Sequence, residues 1–321
     1  MHYKQLGNTD MQIAPLTFGC NVFGFTIDEK TSFKLLDEFI DAGFNLLDTA
    51  DVYSRWKPGN QGGESETIIG NWMKEHQNRS NILIATKVGW DMGDGKKGLS
   101  KKNIFQGVEA SLKRLQTDYI DLYQTHMDDT ETPIEETLEA YQQLMNEGKI
   151  RWIGASNLSP ERLQLSLDIS KAKGLPSYQT FQPHYNLVER EVFEKELEHV
   201  CIENNLGVIN YFALAGGFLT GKYRSEADLD KSLRGDGAKK YLNPKGIKVL
   251  TALDKIAAEY NTTPASVAIA WLLARPSVTA PIASATNLEQ LQSLINATEL
   301  KLTNEAIEFL NSASAWNNTL L

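Results

Sequence analysis

One feature constrains the fold more than any other: an alternation, repeated along nearly the whole chain, of a short apolar run and a longer stretch with apolar residues at helical spacing. The short runs are Leu16–Gly19, Phe44–Asp48, Ile82–Lys87, Tyr119–His126, Ile150–Ser156, Tyr178–Gln182, Gly207–Tyr211 and Val278–Ala283. Brief continuous runs of this kind mark strands buried on both faces. The stretches between them carry helical patterns. Phe33, Leu36, Phe39 and Ile40 share one face, Ile104, Val108, Leu112 and Leu115 share another, and helices are expected over Glu66–Glu75 and Ile134–Asn146. Ser159-Pro160 opens a further helix as N-cap and first helical residue, and one more starts near Asn287. Eight strand–helix units predict an α/β fold of the closed (β/α)8 TIM-barrel type. A doubly wound open sheet is the competing arrangement. It would carry a Gly-x-Gly-x-x-Gly turn after an early strand, and none stands there.

Two segments lie outside the repeat. Tyr3–Ile13 reads as a β-hairpin ahead of the barrel, placed to plug its bottom. Lys222–Lys245 predicts a long charged loop after the seventh strand, of the kind that more often serves function than not. An extra helix over about Ile247–Tyr260 precedes another capped by Thr263-Pro264. No shift in composition marks a boundary, so residues 1–321 are expected to form a single barrel domain.

Charge narrows the partners. Lys plus Arg number 32 against 41 for Asp plus Glu, a net charge of −9. A dedicated nucleic-acid binder needs a basic face, so none is expected. A small anion can still bind a locally basic pocket. Cys20 and Cys201 are the only cysteines, which gives no disulfide framework. No apolar run reaches the roughly 20 residues that span a bilayer. No basic-then-apolar leader stands at the N-terminus, so a cytoplasmic location away from membranes is expected.

Barrel chemistry sits at the C-terminal ends of the strands. There the second strand delivers Asp48 with Tyr53 in the following loop, the third Lys87, and the fourth His126. Taken singly, each has an ordinary role: a turn-forming Asp, a solvated Lys, a hydrogen-bonded His, a packing Tyr. Their coincidence at equivalent strand ends favours catalysis. A lysine ammonium near a phenol favours its ionised form and lowers its pKa. An aspartate keeps that lysine charged, and a histidine can orient a carbonyl. The set is a general acid aimed at a carbonyl oxygen that gains negative charge.

Asp48-Thr49-Ala50-Asp51-Val52-Tyr53, Lys87 after Ile84-Ala85-Thr86, and His126 after Leu122-Tyr123-Gln124-Thr125 resemble the catalytic tetrad of the aldo-keto reductases. The fifth-, sixth-, seventh- and eighth-strand ends resemble that family's signatures too: Ser156-Asn157, Phe181-Gln182, the stretch Tyr211 to Tyr223, and Pro281 to Thr286. The likeness covers essentially the whole chain and is closer to the bacterial branch than to the animal steroid-reducing branch.

The resemblance implies NAD(P)H-dependent reduction of aldehydes or ketones, with NADP(H) favoured over NAD(H) and Tyr53 as acid. It implies cofactor contacts from Gly19, Asn21, Ser156, Asn157 and Gln182. Tyr211 would stack on the nicotinamide, and Phe212, Leu214, Gly216 and Lys222 would line the pyrophosphate path. Ser284, Thr286 and Gln290 would surround the adenosine. Phe212 and Ala213 replace the family's usual Ser and Pro. No basic residue stands between Ser284 and Gln290 to hold a 2′-phosphate, which leaves Arg234 or Lys239 of the long loop for that task. Phe23, Phe25, Trp56 and Trp90 are expected at the substrate rim, and Trp316 either reaches the mouth or packs on the wall. The expected partner is a small carbonyl compound, and the expected state a monomer or weak homo-oligomer. Two other readings stay open. One is a nicotinamide-binding redox sensor acting through a protein partner, as potassium-channel β-subunits do. The other is a Schiff-base enzyme using Lys87 as nucleophile.

Overall fold

The computed structural model describes residues 2–93 and 95–316. Two short strands, β1 (Lys4–Gln5) and β2 (Gln12–Ile13), pair antiparallel as the expected hairpin. Eight parallel strands follow: β3 (Thr17–Gly19), β4 (Leu46–Asp48), β5 (Leu83–Val88), β6 (Ile120–Thr125), β7 (Ile150–Ser156), β8 (Thr180–Gln182), β9 (Gly207–Val208) and β10 (Ile282–Ala283). They pair in the order β10-β3-β4-β5-β6-β7-β8-β9. Thr279 N donates to Val208 O at 2.9 Å and Ile282 N to Asn210 O at 2.9 Å, which joins the last strand to β9 and closes the ring. The fold is a (β/α)8 barrel.

The hairpin does plug the bottom. Leu6, Met11 and Ile13 are buried against Leu46, Ala85, Leu122, Ile209 and Ala280. The turn passes so close to the barrel floor that a Cβ on Gly7 would lie 2.1 Å from Gln179 O, and Gly7 also has φ of +58°. A surface chain fastens the plug: Asp10 pairs with Arg151 at 2.7 Å, and Arg151 pairs with the buried Asp121 at 3.0 Å.

The outer ring buries one face of each helix against the sheet. Helix Glu29–Asp41 starts at Asp28, whose carboxylate accepts from Thr31 N, and buries Leu35, Leu36 and Phe39. The Phe39 ring meets Phe18 edge-on at 5.2 Å and stacks on Phe44 at 5.0 Å. Two elements differ from the expectation. The extra helix begins at Pro244, capped by Asn243, three residues before the apolar pattern starts. A last helix, Asn304–Ala313, capped by Thr303, follows the eighth unit. Segment 222–245 is built of short turns, Glu226–Lys231, Gly235–Ala238 and Lys239–Tyr241, laid over one side of the barrel mouth.

Candidate active site

Strand register brings the chemical groups together. Asp48 is level with Ala85, so Lys87 lies two residues further up β5 on the same face. Lys87 is level with Gln124, so His126 lies two residues beyond that partner, and Ser156 is level with Gln182. Because alternate residues of a strand share a face, these side chains converge at the C-terminal end of the barrel.

At the centre is a buried cation with all three protons placed. Lys87 Nζ donates to Asp48 Oδ2 at 2.7 Å, to Thr49 O at 2.7 Å and to Tyr53 Oη at 2.9 Å. Lys87 is fully buried and Asp48 nearly so. Burial opposes the ammonium, but the Asp48 carboxylate and the Tyr53 oxygen outweigh it and hold the Lys87 pKa above its ordinary value. Asp48 Oδ1 accepts from Gln182 Nε2 at 2.9 Å and from Gln124 Nε2 at 3.3 Å.

Tyr53 departs from the expectation that Lys87 would lower its pKa. Burial dominates and pushes it up to about 12, with Lys87 opposing and Asp48 reinforcing the rise. The phenol is therefore protonated throughout the neutral range. Since its oxygen accepts from Lys87, its own O–H is free to donate elsewhere, and Tyr53 lines the cavity. His126 lies beside it, with ring centroids 6.0 Å apart. Burial, helped by Lys87, drives the His126 pKa well below the usual value and keeps the ring neutral. A neutral imidazole and a protonated phenol side by side can both serve a carbonyl oxygen.

These groups open into a cavity of about 1010 Å³, at the upper end of the range for small-molecule sites. Asp48, Tyr53 and His126 line it, and so do Ser284, Thr286 and Gln290. Gly19, Asn21, Ser156, Asn157, Gln182, Tyr211, Phe212, Leu214, Gly216, Lys222 and Arg234 lie along it, and Trp56 and Trp90 at the rim. Several polar groups are already committed. Ser156 Oγ donates to Gln182 O at 2.8 Å, and Asn157 Nδ2 to His126 O at 2.9 Å. Tyr211 Oη donates to Asn157 Oδ1 at 2.9 Å, and Ser284 Oγ to Asn21 Oδ1 at 2.8 Å. The Gln182 amide nitrogen serves Asp48, which leaves its oxygen as an acceptor. Gly19 leaves room for its neighbours: a Cβ there would lie 2.7 Å from Ser284 Oγ and 2.9 Å from Ile282 Cγ2, and one of them would have to shift.

Three expectations are corrected, and of the two places expected for Trp316 the wall is the one observed. Phe23 is not at the rim; it is fully buried against Phe18, its ring 5.5 Å away. Phe25 does not line the cavity but packs edge-on against Trp56 at 5.7 Å. Lys239 points away and pairs with Glu226 at 3.4 Å. Trp316 packs on the outer wall, where its Nε1 donates to Glu194 Oε2 at 3.3 Å. Among the described residues, Lys222 and Arg234 of the cavity have no carboxylate within 4 Å, whereas Lys231 beside them pairs with Asp228 at 2.6 Å. The sequence reading missed Met127, Lys231 to Leu233, Thr263, Glu289 and Ser293, which also line the cavity. The first could have been found as the residue after His126. The others come from turns and helices outside the strand repeat.

The sequence model described as the Aldo/keto reductase family matches residues 15–315. The chain belongs to the aldo/keto reductase family. This aldo/keto reductase is 37% identical to the "Uncharacterized oxidoreductase YrpG" of Bacillus subtilis, over 97% of this chain and 95% of that protein. It is 33% identical to the "Aldo-keto reductase YhdN" of the same organism, over 97% and 93%. It is also 33% identical to a "Probable voltage-gated potassium channel subunit beta" of Arabidopsis thaliana, over 94% and 92%. Family membership makes it an oxidoreductase that acts on carbonyl compounds with a nicotinamide cofactor. No helix among the described residues is long and apolar enough to cross a membrane. Among them no cluster of His, Cys, Asp and Glu suits a metal ion.

Proposed function

We propose that the chain is an NADPH-dependent reductase of aldehydes and ketones in which Tyr53 is the general acid. The observation that carries this reading is the Lys87–Tyr53 hydrogen bond. It occupies the phenol oxygen's acceptor side and turns a proton held at a pKa of about 12 towards the cavity. The cofactor supplies the hydride when bound. Asp48 fixes and charges Lys87; Lys87 steadies the phenolate that forms as Tyr53 gives up its proton. Neutral His126 donates to the carbonyl oxygen and orients it. Tyr211 would take the nicotinamide ring on its face, and the Gln182 oxygen, Ser156 and Asn157 would hold its carboxamide.

Lys222 and Arg234, the two cations of the cavity that lack a carboxylate partner among the described residues, would hold the pyrophosphate and 2′-phosphate. The backbone turns sharply along the same path, with φ near +50° to +96° at Phe212, Ala215, Gly216 and Gly217; Ala215 N and Gly217 N already donate within the turn, to Phe212 O and Leu214 O. Ser284, Thr286 and Gln290 would surround the adenosine. Trp56 and Trp90 give the substrate end an aromatic rim suited to apolar carbonyls.

A regulatory role through a protein partner is the second reading, supported by the likeness to proteins named as potassium channel β-subunits. A Schiff-base role for Lys87 is disfavoured by its full burial and its pairing with Asp48, since a nucleophilic lysine must be readily deprotonated. The test is to titrate NADPH and NADH separately and follow their oxidation over a panel of aldehydes and ketones. Tight NADPH binding with turnover is expected. NADH binding much more tightly would overturn the cofactor assignment, and a tightly bound cofactor with no turnover would favour the regulatory reading.

A further inference from the structure

Tyr211 has two faces, and only one is available to the cavity. His184, from the segment just after β8, lies beside Tyr211 in a parallel bridge, with Tyr211 N donating to Pro183 O at 2.9 Å. Such neighbours on adjacent strands put their side chains on one face. The two rings stack, with centroids 5.2 Å apart and planes 14° from parallel. Tyr211 lines the cavity and His184 does not. The imidazole also meets the Phe212 ring at 5.4 Å, tilted 55°, and the Phe212 and Tyr211 rings lie 5.5 Å apart. Phe212 itself is fixed in a left-handed conformation (φ +55°), its carbonyl accepting from the fully buried Asn186 at 3.0 Å. A bulky residue is rarely held there unless its surroundings enforce it. His184 is thus one corner of a three-ring cluster, with a buried Nε2 that has no partner among the described residues.

We infer that His184 is a positioning residue: its ring backs the face of Tyr211 turned away from the cavity and so holds the opposite face flat for the nicotinamide. The inference rests on the proposed function, which places the nicotinamide on Tyr211. Its chemistry has a second consequence. An oxidised nicotinamide is a cation, and an electron-rich phenol ring favours it. A neutral imidazole behind Tyr211 leaves that attraction intact. A protonated one competes for the same ring and repels the cation beyond it. The charged groups facing His184 are Glu189 and Lys240, which pair with each other at 3.0 Å. Burial lowers the His184 pKa, with Glu189 opposing and Lys240 adding to the fall, so the ring is neutral at pH 7.5.

The experiment is a fluorescence titration of the full chain with NADPH and with NADP+, at pH 7.5, for wild type, His184→Phe and His184→Leu. The Phe variant keeps a flat uncharged ring and should bind both forms within about two-fold of wild type at pH 7.5. The Leu variant removes the flat ring and should weaken both by about five-fold. A Leu variant that binds like wild type overturns the inference. A wild-type chain that binds neither form would overturn the proposed function itself, and the inference with it.

Discussion

The Lys87 ammonium donates to the Tyr53 oxygen at 2.9 Å while its two remaining protons serve Asp48 Oδ2 and Thr49 O. One buried cation therefore fixes both the acid and the carboxylate behind it. Replacing one member of such a pair leaves the other charge uncompensated, which costs about 3–5 kcal/mol. Lys87→Met should lose that stability and, with it, reduction by on the order of a hundredfold or more. The double variant Asp48→Asn with Lys87→Met should recover most of the stability and none of the activity. Chemical denaturation and steady-state assay of the three proteins check this.

Asp51 gives a pH prediction. It lies in the loop between Asp48 and Tyr53, buried, with Oδ1 lacking a partner among the described residues. Burial, reinforced by Glu66 and opposed by Arg114, raises its pKa to about 8. An acid whose folded pKa exceeds its unfolded value near 3.8 stabilises the fold fully below the unfolded value. That contribution is lost as pH rises through the folded one. Asp51→Asn removes the charge and keeps the shape, so its melting temperature relative to wild type should climb between pH 4 and pH 9. Thermal unfolding across that range tests the sign; a difference that stays constant would contradict it.

Packing gives another. Gly70 lies in helix Glu64–His76 where a Cβ would stand 2.2 Å from the carbonyl of Arg114 and 2.9 Å from Leu115 Cα. Alanine is the better helix former by about 1 kcal/mol. Even so, Gly70→Ala should destabilise by about 1–3 kcal/mol, because backbone must move aside. Urea unfolding reads the outcome, and a stabilised variant would show that the helices separate freely.

The cavity's cations can be separated by ligand. Arg234→Ala should weaken NADPH by about ten-fold or more, as expected when a charge-assisted contact is removed. If Arg234 faces the 2′-phosphate, NADH affinity should change by less than about three-fold; if it faces the pyrophosphate, both cofactors should weaken alike. Titration of both cofactors against the same variant distinguishes the two placements.

Much of this was legible in the sequence because barrel strands are buried on both faces and read as short apolar runs. Asp48, Lys87 and His126 stand at or just past the ends of three such runs, and counting strands was enough to bring them together. What escaped depends on direction rather than type. Phe23 and Trp56 are both loop aromatics in sequence, yet one turns into the core beside Phe18 and the other to the rim. Lys239 and Arg234 are both cations of one loop, and only the turn geometry between them decides which faces the cavity. The sign of the Tyr53 shift escaped for a related reason. The neighbouring charge is visible in the sequence, while the depth of burial that outweighs it is a property of the whole barrel.

The most direct test of the central claim is a single-turnover measurement on Tyr53→Phe with NADPH bound and an aldehyde substrate that the wild type reduces. The substitution removes one oxygen and its proton and leaves the ring beside Trp56 and His126. The account predicts NADPH affinity within about three-fold of wild type and hydride transfer slowed by on the order of 10²–10⁴. Transfer within about ten-fold of wild type, with affinity unchanged, would contradict the assignment of Tyr53 as the acid.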